Sequence, residues 1–196
     1  MWIVGDSHVH WAARQALQRG DVELQIDVWG DLLTWKGRRG AKLIGAIDLL
    51  QEFLDSAKSG VPDLIIFHLG CNDFLDRPKL GFHLMVRNLI EFCQFMLPNT
   101  IIVWSSILPR PVYRGVDDQG GLSAKLSEIN RNACKLFIKA GGRAIGHPRI
   151  SRRGELFRED DVHLNTCGLN LFLDSLRDAL DYFHLYPTAV KYPGLV

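Results

Sequence analysis

Short apolar runs alternate along this chain with longer segments whose apolar residues recur every three or four positions. That alternation constrains the fold more than any other feature. Trp2–Val4, Leu64–Leu69 and Thr100–Trp104 are brief and apolar, and each is followed by an amphipathic stretch. The helical stretches run from His8 to Arg19, over 41–58, through Phe82, Val86, Leu89, Cys93 and Met96, from Leu122 to Ala140, and through Leu169, Phe172, Leu176, Leu180 and Phe183. Such alternation predicts an α/β domain with a parallel sheet, because a strand–helix–strand crossover returns the chain in the same direction. Val22, Leu24, Ile26 and Val28 alternate with polar residues, so Val22–Trp29 is expected as the second strand. A weak fifth strand is expected near Arg143–Gly146. Crossovers are right-handed. The expected architecture is therefore a three-layer flavodoxin-like fold, a five-stranded parallel sheet of order 2-1-3-4-5 with helices on both faces. One domain is expected over 1–184, and 185–196, with Pro187, Pro193 and Gly194, read as a C-terminal tail.

Composition removes several classes. Twenty-three Lys and Arg against 22 Asp and Glu leave a net charge of +1, so there is no strong nucleic-acid signature. No apolar run approaches the roughly 18 residues of a membrane span. The N-terminus lacks the charged region of a signal peptide, which makes a cytoplasmic location the expectation. Four scattered cysteines without a CxxC pair fit a reducing compartment.

In a doubly wound sheet, chemistry collects beyond the carboxyl ends of the strands, where the strand order reverses. Gly5-Asp6-Ser7 follows the first strand, Gly70-Cys71-Asn72-Asp73 the third, and Asp160-Asp161-Val162-His163-Leu164-Asn165 precedes the last helix. A hydroxyl, an amide and an Asp/His pair are thereby directed to one end of one sheet. Acyl transfer requires a nucleophile, a base, a group that orients the base, and donors for an oxyanion. In isolation each motif has a plainer reading: Ser7 as a helix cap, Asn72 as a turn residue, Asn165 or Thr166 as the cap of the last helix.

Together, in this order, the Gly-Asp-Ser, Gly-x-Asn-Asp and Asp-x-x-His-Leu-Asn-x-x-Gly segments resemble the SGNH hydrolases, the GDSL-type esterases, over residues 2 to about 183. The resemblance implies a serine esterase that hydrolyses short-chain, acetyl-type acyl esters through an acyl-serine intermediate. It implies Ser7 as nucleophile, His163 as general base and Asp160 as its orienting partner. It implies an oxyanion hole from the Ser7 and Gly40 backbone N–H groups and the Asn72 amide. Counting back from the following helix selects Gly40, with Gly37 the alternative; many relatives carry Asp after this glycine, where this chain has Ala41. Asp6 and Asp73 are expected to support loops, Cys71 to fill buried space, and Trp35 and Tyr113 to lie on the pocket rim or else to pack against the sheet edge. Neither metal nor organic cofactor is implied, and the partner is a small-molecule, lipid or carbohydrate ester.

Two other readings compete. Asp6, His8 and His10 spell the Asp-x-His-x-His of metal-dependent amidohydrolases, although a (β/α)₈ barrel usually needs about 250 residues. Alternatively the domain is a catalytically retired scaffold or binding module. The segments 2–11 and 68–73 are similar to SGNH domains encoded in vertebrate retroelements, which would place further domains of a longer polyprotein beside this one. The basic cluster Lys36, Arg38 and Arg39 next to the cleft is expected as a solvated loop, the alternative being attraction of an anion such as phosphate, sulfate or a nucleic-acid backbone.

Overall fold

A computed structural model of the protein describes residues 1–30, 32–57, 60–152 and 154–192. Five strands, β1 (Trp2–Gly5), β2 (Thr34–Gly37), β3 (Leu64–His68), β4 (Ile101–Ser105) and β5 (Arg143–Ile145), form one sheet. Their order is β2-β1-β3-β4-β5 and every pairing is parallel. Among the described residues four α-helices connect them, α1 (Ser7–Gln18), α2 (Ala46–Asp55), α3 (Lys79–Met96) and α4 (Gln119–Lys139), and α5 (Thr166–Leu185) follows the last strand. The three-layer α/β expectation holds.

The pleat divides the core in two. Alternate strand residues Val4, Ile65, Phe67, Ile102 and Trp104 join the cluster beneath α2, α3 and α4. Their neighbours Ile3, Leu64, Ile66, Val103 and Ile145 join the cluster beneath α1 and α5. All five residues of β3 are buried, as a central strand covered on both faces should be. Trp104, Phe67, Phe137 and Phe172 are almost wholly enclosed. Each fully buried side chain of that size contributes about 1.5–3 kcal/mol from water exclusion.

The second strand lies elsewhere than the alternation predicts. Residues 22–25 form turns and Ile26–Trp29 a short 3₁₀ helix. Leu24 and Gln25 take φ of +49° and +61°, which no strand permits. Leu24 and Ile26 are fully buried all the same, so the turns place alternate residues inward and imitate a strand's period. The strand itself, Thr34-Trp35-Lys36-Gly37, is half-buried along its length. As an edge strand with one neighbour it carries no apolar run; its register, Trp2 to Thr34 through Gly5 to Gly37, is set by β1.

Other boundaries shift modestly. A 3₁₀ turn at Leu43–Gly45 precedes α2, which ends at Asp55 where a helix to 58 was expected; Lys58 lies outside the described residues. Beyond α5, residues 190–192 run beside β5: Ala144 N–H donates to Val190 O at 2.9 Å and Tyr192 N–H to Ala144 O at 3.0 Å. The rest of the expected tail, 193–196, lies outside the described residues. No helix among the described residues is long and apolar enough to cross a membrane.

Candidate active site

β1 ends at Gly5 and α1 begins at Ser7, so the turn between them is one residue long. Asp6 is that residue and the N-cap: its carboxylate accepts from His8 N–H at 2.9 Å. Ser7 is thereby not the cap but the first helical residue. Its N–H has no helical partner by construction, and the positive end of the α1 dipole lies at its side chain.

The segment 160–163 reaches Ser7 from the far end of the chain. His163 Nε2 lies 3.1 Å from Ser7 Oγ, and His163 Nδ1 lies 2.7 Å from Asp160 Oδ2. The other oxygen of Asp160 accepts from the backbone N–H of Val162 at 2.9 Å and of His163 at 2.8 Å. One carboxylate thus fixes both the loop and the ring. Partial burial works against the Asp160 charge, but the His163 ring, these two backbone donors and the His163 charge hold its pKa down to about 2. Asp161, its sequence neighbour, turns away with φ of +58° and meets Arg114 at 3.2 Å.

Asn72 lies in the turn beyond β3, separated from it by Leu69, Gly70 and Cys71. Its side-chain amide donates to Ala41 O at 3.0 Å, which ties it to the residue after Gly40 and leaves its second N–H for another acceptor. Gly40 has φ of +73° and open space around its Cα. Gly37 is glycine for a different reason. A Cβ there would stand 2.3 Å from His10 N and 2.6 Å from its Cα. Gly37 is therefore where α1 rests on the sheet edge, and Gly40 is the turn residue beside Asn72.

The supporting residues fall as expected. Asp73 accepts from Leu43 N–H at 2.7 Å and Ile44 N–H at 3.4 Å, tying the β3 loop to the turn before α2. Asn165 caps α5 through Gly168 N–H at 3.1 Å. Cys71 is buried, its thiol donates to Asp6 at 2.8 Å, and burial foremost, with the Asp6 charge, pushes its pKa well up. It is not poised as a thiolate. Burial alone would raise the Asp6 pKa, but the His8 hydrogen bond and charge, the charge of His68 and the Cys71 donor hold it well below the usual carboxylate range.

Three expectations are corrected. Tyr113 is buried, edge-on to Phe74 at 5.4 Å, and is no rim residue. Trp35 turns its indole N–H to Val22 O at 2.8 Å and packs on the α1/α5 side. His10 does not join Asp6 and His8; its ring lies edge-on to Trp11 at 5.2 Å. The group beside Asp6 and His8 is completed by His68, and the open five-stranded sheet is not the barrel on which the Asp-x-His-x-His reading depends. In the basic cluster, Lys36 lies over Trp2 and Phe53, Arg38 pairs with Glu52, and Arg39 lies 5.8 Å from the Trp11 ring centre.

The sequence reading missed a buried polar chain below the site. His68 Nδ1 lies 2.9 Å from Ser105 Oγ, Ser105 Oγ 2.8 Å from His147 Nε2, and His147 Nδ1 2.9 Å from Ser175 Oγ. The only hint in the sequence is a histidine closing the otherwise apolar run Leu64–Phe67. Burial is the main force lowering both imidazoles: His68 falls to about 4 and His147 well below its ordinary value of 6.5. Unfolding returns both to about 6.5. Between pH 6.5 and about 4 the unfolded chain therefore binds more protons than the native one, and stability falls as pH falls through that window. Each imidazole adds a slope of about 1.4 kcal/mol per pH unit inside it. Urea unfolding at pH 7 and pH 5 should show a clear loss at pH 5; equal stabilities would mean that these rings are not held neutral.

Known structures share this fold. The esterase EstA from a Pseudoalteromonas species, solved inhibited by monoethylphosphonate, superposes with a TM-score of 0.69 at 18% identity, over 94% of this chain and 97% of that one. A GDSL-like lipase from Bacteroides thetaiotaomicron gives 0.66 at 12% identity, over 92% of this chain and 87% of that one. A family 3 carbohydrate esterase from Clostridium thermocellum gives 0.65 at 16% identity, over 94% and 98%. The fold is that of the GDSL, or SGNH, esterases and lipases. No protein-family model matches the sequence, and no curated protein matches it.

Proposed function

We propose that the protein is a serine esterase acting on short-chain, acetyl-type acyl esters through an acyl-Ser7 intermediate. The observation that carries this reading is the 3.1 Å approach of His163 Nε2 to Ser7 Oγ with Asp160 2.7 Å behind the ring. Ser7 Oγ attacks the ester carbonyl while its proton passes to His163 Nε2. The carbonyl oxygen becomes an oxyanion held by the Ser7 and Gly40 N–H groups and the free N–H of Asn72. Collapse expels the alcohol, which takes the proton back from His163. A water then gives its proton to His163 and attacks the acyl group, and Ser7 Oγ leaves with that proton.

A small acyl group suits a site beside which the loop 106–118 folds Tyr113 inward in place of forming a wide pocket wall. The test is the initial rate on p-nitrophenyl esters of increasing acyl length, with and without EDTA. Hydrolysis that falls with chain length and ignores EDTA is expected. No rate on any ester would favour the retired scaffold, and EDTA sensitivity would reopen metal chemistry around Asp6 and His8.

The two partners of Ser7 should not be equally costly to remove. The Asp160 side chain is 45% exposed against 29% for His163. Water can stand in for an exposed carboxylate, and Asn can still present an oxygen to Nδ1–H. Asp160→Asn should lower kcat by about 10², whereas His163→Ala removes the base itself and should cost about 10⁴. Equal losses measured on one ester would overturn this ranking.

A further inference from the structure

Next to Ser7 the surface concentrates positive charge around a single indole. On α1, positions 7, 11, 14 and 18 succeed one another on one face. Ser7, Trp11 and Arg14 thus lie in line, with Trp11 one turn from the nucleophile. Three guanidinium groups surround the Trp11 ring: Arg158 at 4.4 Å, Arg14 at 5.5 Å and Arg39 at 5.8 Å from its centre. They come from three separate parts of the chain, so no local sequence pattern explains their convergence.

Two of them are tied to the site by backbone. Arg39 precedes Gly40. Arg158 N–H donates to His163 O at 2.8 Å, and its Nε to Leu164 O at 3.1 Å. Beside them runs a groove of about 590 Å³ lined by Trp11, Arg14, Gln15, Gln18, Arg158 and Thr166, among others, and its lining contains no Asp or Glu. None of the three arginines is ion-paired among the described residues, whereas Arg19, Arg38, Arg114, Arg149 and Arg177 all are. The positive field is felt locally: burial first, then the charges of Arg14 and Arg39, lowers the pKa of His10.

Cation–π contact accounts for one guanidinium on an indole. Three like charges on one ring, with no carboxylate among them, instead form an arrangement completed by an oxyanion. Guanidinium forks match phosphate oxygens in geometry as well as charge. Gln15, Gln18 and Thr166 supply neutral donors along the groove.

We infer that Trp11, Arg14, Arg39 and Arg158 form a binding site for a phosphate group carried on the leaving-group side of the ester cleaved at Ser7. This rests on the esterase reading and names its substrate class: an acyl ester whose alcohol bears a phosphate, either soluble or in a lipid headgroup.

The test compares 1-acetylglycerol with 1-acetylglycerol 3-phosphate, on the wild-type chain and on the Arg14→Gln/Arg39→Gln double variant, both changes being at exposed positions. Wild type should show a KM about tenfold or more lower for the phosphate ester. The double variant should bring the two KM values together. Glycerol 3-phosphate is titrated calorimetrically into both proteins in parallel, a readout that needs no turnover. Binding to wild type that is lost in the variant supports the site even if no ester is hydrolysed, in which case the esterase reading alone fails. Hydrolysis with equal KM values and no glycerol 3-phosphate binding overturns the site and leaves the esterase standing. Co-sedimentation with phosphatidylglycerol against phosphatidylcholine vesicles separates the sources. Arginine-dependent capture of the anionic vesicles assigns the phosphate to a lipid, and phosphate binding without vesicle capture assigns it to a soluble ester.

Discussion

Ser7→Ala should reduce kcat on any ester the protein hydrolyses by a factor on the order of 10⁴ to 10⁶. The substitution removes one oxygen, and with it the hydroxyl that forms the acyl bond in the proposed mechanism. The fold should scarcely notice. Ser7 Oγ bonds to His163 and is not the cap of α1, a duty that falls to Asp6. Alanine also suits the first helical turn. Unfolding free energy should change by no more than about 1 kcal/mol, the worth of one hydrogen bond. Wild-type turnover by a Ser7→Ala protein that melts normally would remove Ser7 from the mechanism altogether.

Gly37→Ala should do the opposite: leave every catalytic group in place chemically and break the platform beneath them. Gly5 and Gly37 are neighbours in the β1–β2 register, and together they form the flat spot on which the first turns of α1 lie. A Cβ on Gly5 would stand 2.3 Å from Val9 Cγ2 and 2.6 Å from His68 O, and one on Gly37 2.3 Å from His10 N. Backbone cannot swing aside as a flexible side chain can, so α1 would have to lift from the sheet. A loss of about 3 kcal/mol is expected. Ser7 rides on α1, and displacement of the nucleophile by about 1 Å can cost about 10² in rate. Gly40→Ala meets no atom and strains only a positive φ, at about 1 kcal/mol. Urea unfolding of the two variants decides the matter. Equal stabilities would show that α1 does not depend on the close approach at Gly37.

The two glycines illustrate how far local reading reaches. Counting along the chain selects Gly40 as the donor glycine but has no means of explaining Gly37. The reason for Gly37 is the backbone of His10, 27 positions away and brought there by the β1–β2 pairing. The same limit produced the misplaced second strand. Val22, Leu24, Ile26 and Val28 have a strand's periodicity, yet the positive φ at Leu24 and Gln25 breaks the chain into turns that bury Leu24 and Ile26 as a strand would. Thr34–Gly37 has no such pattern, because an edge strand takes its conformation from one neighbour and its burial from what packs across it.

What the amino-acid order determined by itself is the alternation of strand and helix, and hence the parallel sheet, and the placement of Gly5-Asp6-Ser7, Asn72 and Asp160…His163 just beyond strand ends or before a helix. Those follow from periodicity and from where a chain must turn, which are local properties. Only the tertiary structure decided that Asp6 and not Ser7 caps α1. It alone made the polar chain from His68 to Ser175, and it alone gathered Arg14, Arg39 and Arg158 around Trp11. Each of these depends on side chains distant in sequence meeting across packed layers, and such meetings are governed by the sum of the packing, which no single segment carries.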